Sequence, residues 1–397
     1  MRILITGAAG QVGTDLIPLL LARGHKVAGF DTVKAPAGLP AGAEWFTGDI
    51  TYEGEVNDAV KAYRPESIWH LAAILSATGE RIPHKAWRVN MEGTRLLLEA
   101  ARLFGTRQFI FTSTIAAFGP GLAEPVGNDV SMRPSTMYGL TKVAGELLGE
   151  YYKTKWKIDF RGVRFPGLIS AVEPGGGTSD YVNYMYFDGV RKGAYEAFVT
   201  AESTIPLMYM PDALRALIEL AEAPAESLRH SMYNIAAMSP RADEIATAVA
   251  KRVPGVQLTF KSDKTRQAIL DSWPKRLDDS EARRDWGWHA QYDLGAMSDD
   301  LIAKVRAMYG QEAPAKAAAQ PKVASKPTPA PAAAAPAAPA AKKPVAVKPV
   351  AAKPAPKPSK SLDTQPVKKP ATAKPVAKTA AKPAVKVSAK PVARKRG

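Results

Sequence analysis

The chain has 397 residues, 46% of them hydrophobic, enough for one large or two small globular units. It has no cysteine, which excludes disulfides and cysteine-ligated metal centres and fits a reducing cytoplasm. The net charge of +16 is uneven: residues 311–397 hold 19 Lys or Arg against 2 acids, while residues 1–310 hold 35 bases against 36 acids, so a near-neutral body carries a cationic tail.

Met1-Arg2 leads straight into an apolar run, which leaves no place for a signal peptide. No apolar run approaches the roughly 18 residues of a membrane helix. The expectation is a cytoplasmic protein without a membrane span. In chain order, Arg2–Thr6 reads as a buried strand. Residues 11–23 read as a helix with Val12, Leu16, Leu19 and Leu20 on one face. Lys26–Asp31 is a second strand, and a third precedes Asp49. Helices over 55–63, 89–104 and 138–152 then alternate with strands over 67–72, 108–112 and 159–164. Strands separated by helices of this length pair in parallel through right-handed crossovers. Their nearly continuous apolar character suits a sheet covered on both faces. The fold class is therefore α/β, a doubly wound parallel sheet over residues 1–165.

Beyond Pro166 the pattern loosens. Helices are predicted over 181–190, 211–221, 241–251, 278–286 and 294–309, with one more strand over 231–236. This portion, 166–310, reads as a smaller substrate-binding part interleaved with the sheet. Trp273, Trp286 and Trp288 lie in it and read as packing residues. Residues 311–397 are Ala-Lys-Pro-Val sequence without Phe, Trp, Tyr or Ile. Such a segment buries too little apolar surface to offset its ordering entropy and reads as a disordered tail.

Chemistry-bearing motifs follow the strands. Gly7, Gly10 and Gly13 lie between the first strand and the first helix, with Gln11 and Val12 opening that helix. Glycines at this spacing allow a tight turn and close approach to pyrophosphate, and the helix N-terminus favours phosphate. Asp31 closes the second strand, 24 residues after Gly7, where a carboxylate accepts both ribose hydroxyls. No arginine adjoins it, which favours NAD over NADP. Asp49 and Ile50 after the third strand are candidates for the adenine edge.

Tyr138 and Lys142 share one helix face a turn apart. A free tyrosine, with a pKa near 10, is a poor base at neutral pH, and a nearby ammonium favours its phenolate. Tyr151 and Lys155 repeat the spacing, but only the first pair has a strand-end hydroxyl, Thr114, 24 residues upstream. A hydroxyl at a strand's carboxyl end faces the crevice where ligands of such sheets bind.

On Thr114, Tyr138, Lys142 and the turn Leu71-Ala72-Ala73, the chain resembles the extended short-chain dehydrogenase/reductase family. Within it, Leu71–Ala77, Arg164–Ser170, the run 174–178, Met208-Tyr209-Met210 and Asp285-Trp286-Gly287-Trp288 resemble the short-chain L-threonine 3-dehydrogenases. The resemblance implies a Rossmann sheet, NAD, an L-threonine substrate and a homodimer built on a helix bundle. It implies Thr114, Tyr138 and Lys142 as the catalytic trio. It adds Leu71, Ala72, Ala73 and Pro166 to the cofactor-binding residues Gly7, Gly10, Gln11, Val12, Gly13, Asp31, Asp49, Ile50, Tyr138 and Lys142. Ser76, Gly177 and Thr178, with Thr114 and Tyr138, hold the substrate. No metal is implied. The departures are a Thr where many members have Ser, and the tail.

The rival reading is a nucleotide-sugar epimerase or dehydratase on the same fold. Such enzymes resemble one another in an Arg-Asp-aromatic run whose arginine binds diphosphate; here Ile205-Pro206-Leu207-Met208-Tyr209 has no arginine. Where they show an Asn after the sixth strand, this chain has Pro166-Gly167. The tail resembles the carboxyl-terminal arms of linker histones and bacterial histone-like proteins. It is either a site for a polyanion such as nucleic acid or polyphosphate, bound by counterion release, or a solvated extension.

Overall fold

A computed structural model describes residues 1–173, 175 and 177–310. The tail assigned to 311–397, and two residues of the 174–178 run, lie outside the described residues. The elements begin β1 (Arg2–Thr6), α1 (Gln11–Ala22), β2 (Lys26–Asp31), β3 (Ala43–Thr47), α2 (Glu53–Tyr63) and β4 (Ser67–His70). Two short helices follow, α3 (Ser76–Arg81) and α4 (Pro83–Trp87), then a π-helical turn over Arg88–Glu92 and α5 (Gly93–Phe104). Next come β5 (Gln108–Thr114), a 3₁₀ turn over Ile115–Ala117, α6 (Met137–Trp156) and β6 (Asp159–Phe165).

After β6 come β7 (Gly167–Ile169), α7 (Asp180–Lys192), β8 (Ala194–Ala197), β9 (Leu207–Tyr209), α8 (Met210–Glu222) and β10 (Met232–Asn234). The described residues close with α9 (Ala242–Ala250), β11 (Gln257–Phe260), α10 (Lys264–Asp271), α11 (Ser280–Trp286) and α12 (Leu294–Met308).

Seven parallel strands form the main sheet in the order β10-β6-β5-β4-β1-β2-β3, with a Rossmann-type reversal of strand order between β1 and β4. Every residue of β4 and β5 is buried. Alternation sends Ile3, Ile5, Trp69 and Ile110 into a core with α1 and α8, and Leu4, Ile68, Phe109 and Phe111 into a core with α2 and α5. A third core joins α7, α9 and α12, whose apolar faces cover one another and the short pairs β8–β11 and β7–β9.

The structure differs from the sequence reading in places. The helix predicted over 89–104 begins in the wider π-helical turn of Arg88–Glu92, which contains Asn90. α3, α4, α10 and the strands β7, β8, β9 and β11 were not predicted; the strands are three or four residues long and give no alternation to read. Trp288 is 1% and Trp273 9% exposed, so both pack. Among the described residues no helix is long and apolar enough to cross a membrane.

Candidate active site

The glycine turn leaves the carboxyl end of β1, beside the reversal of strand order. Gly7 has φ +68°, and a Cβ there would lie 2.7 Å from the backbone of Ala72. Only glycine fits both conditions, and the contact presses the turn against Leu71-Ala72-Ala73, which follow β4. Gly10 is exposed at the start of α1 with no side chain capping it, Gln11 and Val12 are half-buried, and Gly13 is buried. The uncapped helix end favours an anion. Asp31 ends β2 beside the turn, where its Oδ2 accepts the N–H of Ala9 at 3.0 Å. An open turn next to a strand-end carboxylate fits the pyrophosphate and ribose of a dinucleotide. Asp49 is half-buried and caps its own turn, accepting from the N–H of Thr51 at 2.8 Å; Ile50 packs into the core beside Gly93. Pro166 is buried directly after β6.

The expected trio converges at the carboxyl end of β5. Thr114 ends the strand, and its Oγ1 accepts the N–H of Ala116 at 3.2 Å. Tyr138 stands in the first turn of α6, which Thr136 caps by accepting the Gly139 N–H at 3.1 Å. A side chain at residue 139 would run into the carbonyl oxygen of Ala116, so the helix start lies directly on the turn after β5. Burial pushes the Tyr138 phenol up to about 12, and its hydrogen bond with Thr114 pulls the other way. Lys142 is 3% exposed. Its Nζ donates to the Thr112 carbonyl at 2.6 Å and lies 5.8 Å from the Tyr138 ring centre. Burial pushes Lys142 down to about 7, opposed by Glu146. Burial and the Thr114 hydrogen bond set the direction of the Tyr138 shift here, and the Lys142 Nζ is held by the Thr112 carbonyl.

The two hydroxyls expected to hold a substrate meet. Ser76 opens α3, Thr178 precedes α7, and their oxygens lie 3.3 Å apart. Gly177, expected among the substrate-binding residues, donates its N–H to Asp180 Oδ2 at 2.7 Å. The Gln11 amide reaches the same segment and donates to the Glu173 carbonyl at 3.2 Å.

Sequence reasoning missed several buried polar residues. Asn90 accepts the Ile74 N–H at 2.7 Å, donates to the Ile74 carbonyl at 3.0 Å and reaches the Thr141 hydroxyl at 3.2 Å. It thus fixes the segment leading to Ser76 against α6. His70 lies between the hydroxyls of Thr6 (2.7 Å) and Thr94 (2.9 Å). Burial, then the charge of Lys142, push it down to about 3, so it is neutral near pH 7. Glu80 accepts the Met137 N–H at 2.7 Å at the start of α6. The available signal was a polar residue inside an apolar pattern, such as Asn90 among Val89 and Met91.

Residues 3–236 match the NAD dependent epimerase/dehydratase family. The chain is 41% identical to the mitochondrial L-threonine 3-dehydrogenase of Bos taurus over 315 residues, 78% of this chain and 83% of that protein. Among solved structures it is similar to the GalE-like L-threonine dehydrogenase from Cupriavidus necator in its holo form, with a TM-score of 0.72, 42% identity and coverage of 77% of this chain and 100% of that one. It is likewise similar to a monomeric L-threonine 3-dehydrogenase from a metagenome database, with a TM-score of 0.74, 38% identity and coverage of 77% and 99%. With a glycine turn fit for a dinucleotide, a strand-end carboxylate beside it and a family match across both, the chain belongs to the NAD-dependent epimerase/dehydratase family as an oxidoreductase that uses NAD.

Proposed function

We propose that the protein oxidises the C3 hydroxyl of L-threonine to give 2-amino-3-oxobutanoate. The observation that carries this is the meeting of Ser76 with Thr178, which supplies a paired-hydroxyl subsite for an amino acid, together with Thr114 and Tyr138 at the end of β5. Relatives named for this activity, at 41% and 42% identity, support the choice of substrate.

NAD, when bound, supplies the acceptor for the hydride of C3. Gly7, Gly10, Gln11, Val12 and Gly13 would hold its pyrophosphate, Asp31 a ribose, and Asp49 and Ile50 the adenine edge. Leu71, Ala72, Ala73 and Pro166 would flank its nicotinamide side. Thr114 hydrogen-bonds the substrate hydroxyl and orients it. Tyr138 takes the hydroxyl proton at its phenolic oxygen. Lys142 anchors the second ribose and favours the phenolate once its ammonium leaves the Thr112 carbonyl. Ser76, Gly177 and Thr178 hold the amino-acid end. Proton transfer of this kind contributes roughly 10²–10⁴-fold, and positioning much of the remainder.

NADH formation with L-threonine, L-allo-threonine, L-serine and a UDP-sugar, measured side by side, tests the proposal. Turnover of the UDP-sugar alone would replace it with the epimerase reading. Leu140, Leu147 and Tyr151 are exposed along α6 and Leu103 on α5. We assign that apolar face to a second copy of the chain, as in a helix-bundle dimer; sedimentation showing a monomer at all concentrations removes this assignment.

For the tail, the excess of 19 bases over 2 acids favours a polyanion partner. Binding would be electrostatic and weakened by salt, since the segment has no aromatics to stack bases. Deleting residues 315–397 should abolish retention on a DNA column in low salt. Unchanged retention ends that reading.

A further inference from the structure

Behind the Tyr138–Lys142 face lies a buried charge cluster. Glu146 follows Lys142 by one turn of α6 and is 2% exposed. Its carboxylate accepts from Arg164 on β6, at 2.8 Å from Nη2 and at 3.1 and 3.2 Å from Nε. It also accepts from the hydroxyl of Ser113, the neighbour of Thr114 on β5. Arg164 is held from its other side: Nη1 donates to the Asn128 carbonyl at 2.8 Å and to Oδ1 of Asn234 on β10 at 3.1 Å. Its guanidinium covers the Phe118 ring at 5.3 Å. Buried ion pairs of this kind are weak sources of stability, since apolar replacements are often neutral. The cluster instead joins the helix that carries Tyr138 and Lys142 to the strand end that carries Thr114.

We propose that Glu146 is a positioning residue for the reaction, the counter-charge that keeps Lys142 an ammonium inside a buried site and ties it through Ser113 to the Thr114 strand end. This rests on the reading of Tyr138 as the base.

The groups around Lys142 leave Glu146 that task. α6 presents Tyr138 and Glu146. β4 presents His70, neutral near pH 7, and β5 presents the Thr112 carbonyl, the Thr114 hydroxyl and the Phe111 ring, 4.8 Å from Nζ. From the Arg88–Glu92 turn, Asn90 arrives through Thr141. On β6, Arg164 is already joined to Glu146. Glu150, a turn beyond Glu146, is pushed up by burial and by Glu146 itself. Glu146 is the group that opposes the effect of burial on Lys142.

A ¹³C NMR titration of lysine ε-carbons in the full chain without added NAD tests this. Exposed lysines titrate near 10.4, so a resonance with a midpoint of about 7 that disappears in Lys142→Met reports Lys142. Glu146→Gln should lower that midpoint by about one pH unit, and Glu146→Asp should leave it nearly unchanged. Glu146→Gln combined with Arg164→Met removes both charges without leaving an unpaired guanidinium, and should give a smaller drop in the same direction, because a neighbouring positive charge is lost as well. In assays the alkaline limb of kcat should move down by the same amount, because the ammonium is lost at lower pH. An unmoved midpoint in either folded variant makes Glu146 a structural residue only and overturns the proposal. If Tyr138→Phe retains turnover while the midpoint still drops, the base is elsewhere and the hold of Glu146 on Lys142 stands.

Discussion

Ser76 and Thr178, 102 residues apart in the chain, are both buried and place their hydroxyl oxygens 3.3 Å from each other. The first opens α3 after β4, and the second precedes α7. The proposed substrate subsite would therefore draw on segments 102 residues apart in the chain.

Removing either hydroxyl should mark the substrate end. Ser76→Ala or Thr178→Val is expected to lower kcat/KM for L-threonine about tenfold, the value of one hydrogen bond of about 1.4 kcal/mol, with NAD affinity unchanged. Because the two groups touch, the double variant should lose less than the product of the single losses. Unaltered kcat/KM in both variants would place the substrate elsewhere.

Tyr138→Phe keeps the ring and deletes the proposed proton acceptor. Turnover should fall by roughly 10²–10⁴-fold while NAD still quenches protein fluorescence at the wild-type midpoint. Loss of NAD binding in step with turnover would point instead to collapse of the β5–α6 junction.

Asp31→Asn tests the cofactor side. Losing charged hydrogen bonds worth about 1.5–3 kcal/mol should raise KM for NAD by roughly 10–100-fold and narrow the preference over NADP. Equal effects on both cofactors would mean that Asp31 serves only the turn, through the Ala9 N–H.

His70 supplies a stability prediction. Its folded pKa of about 3 lies below the ordinary 6.5, so between those values the unfolded chain takes up a proton that the folded chain refuses. This contribution is fully present above pH 6.5 and is lost as pH falls toward 3, by at most about 1.4 kcal/mol per pH unit. Urea unfolding at pH 7, 6, 5 and 4 should show a gentler decline in His70→Asn than in the wild type. Parallel declines would mean that His70 takes up its proton without unfolding.

Local rules made part of this architecture legible in the sequence. A strand, a glycine turn and a helix are neighbours in the chain, so Gly7, Gly13 and Asp31 could be placed from their position and spacing, whereas Tyr138 and Lys142 needed Thr114 to set them apart from Tyr151 and Lys155. Thr114 was readable because an apolar strand points its last residue at the crevice. Glu146 and Arg164 were not, because each looks like an ordinary surface charge until β6 is laid beside α6. The same holds for Asn90, whose partner Ile74 lies across an unpredicted helical pair. β7 and β9 were unreadable for a simpler reason: three residues carry no period.

Gly139 sets a limit on how this enzyme can change. With the first turn of α6 seated on the Ala116 carbonyl, the main chain sets how closely the backbones carrying Tyr138 and Thr114 approach. Enlarging residue 139 would separate the pair whatever alcohol is present. On the proposed function, adaptation to another substrate would fall to the segments around Ser76 and Thr178, leaving the junction of β5 and α6 in place.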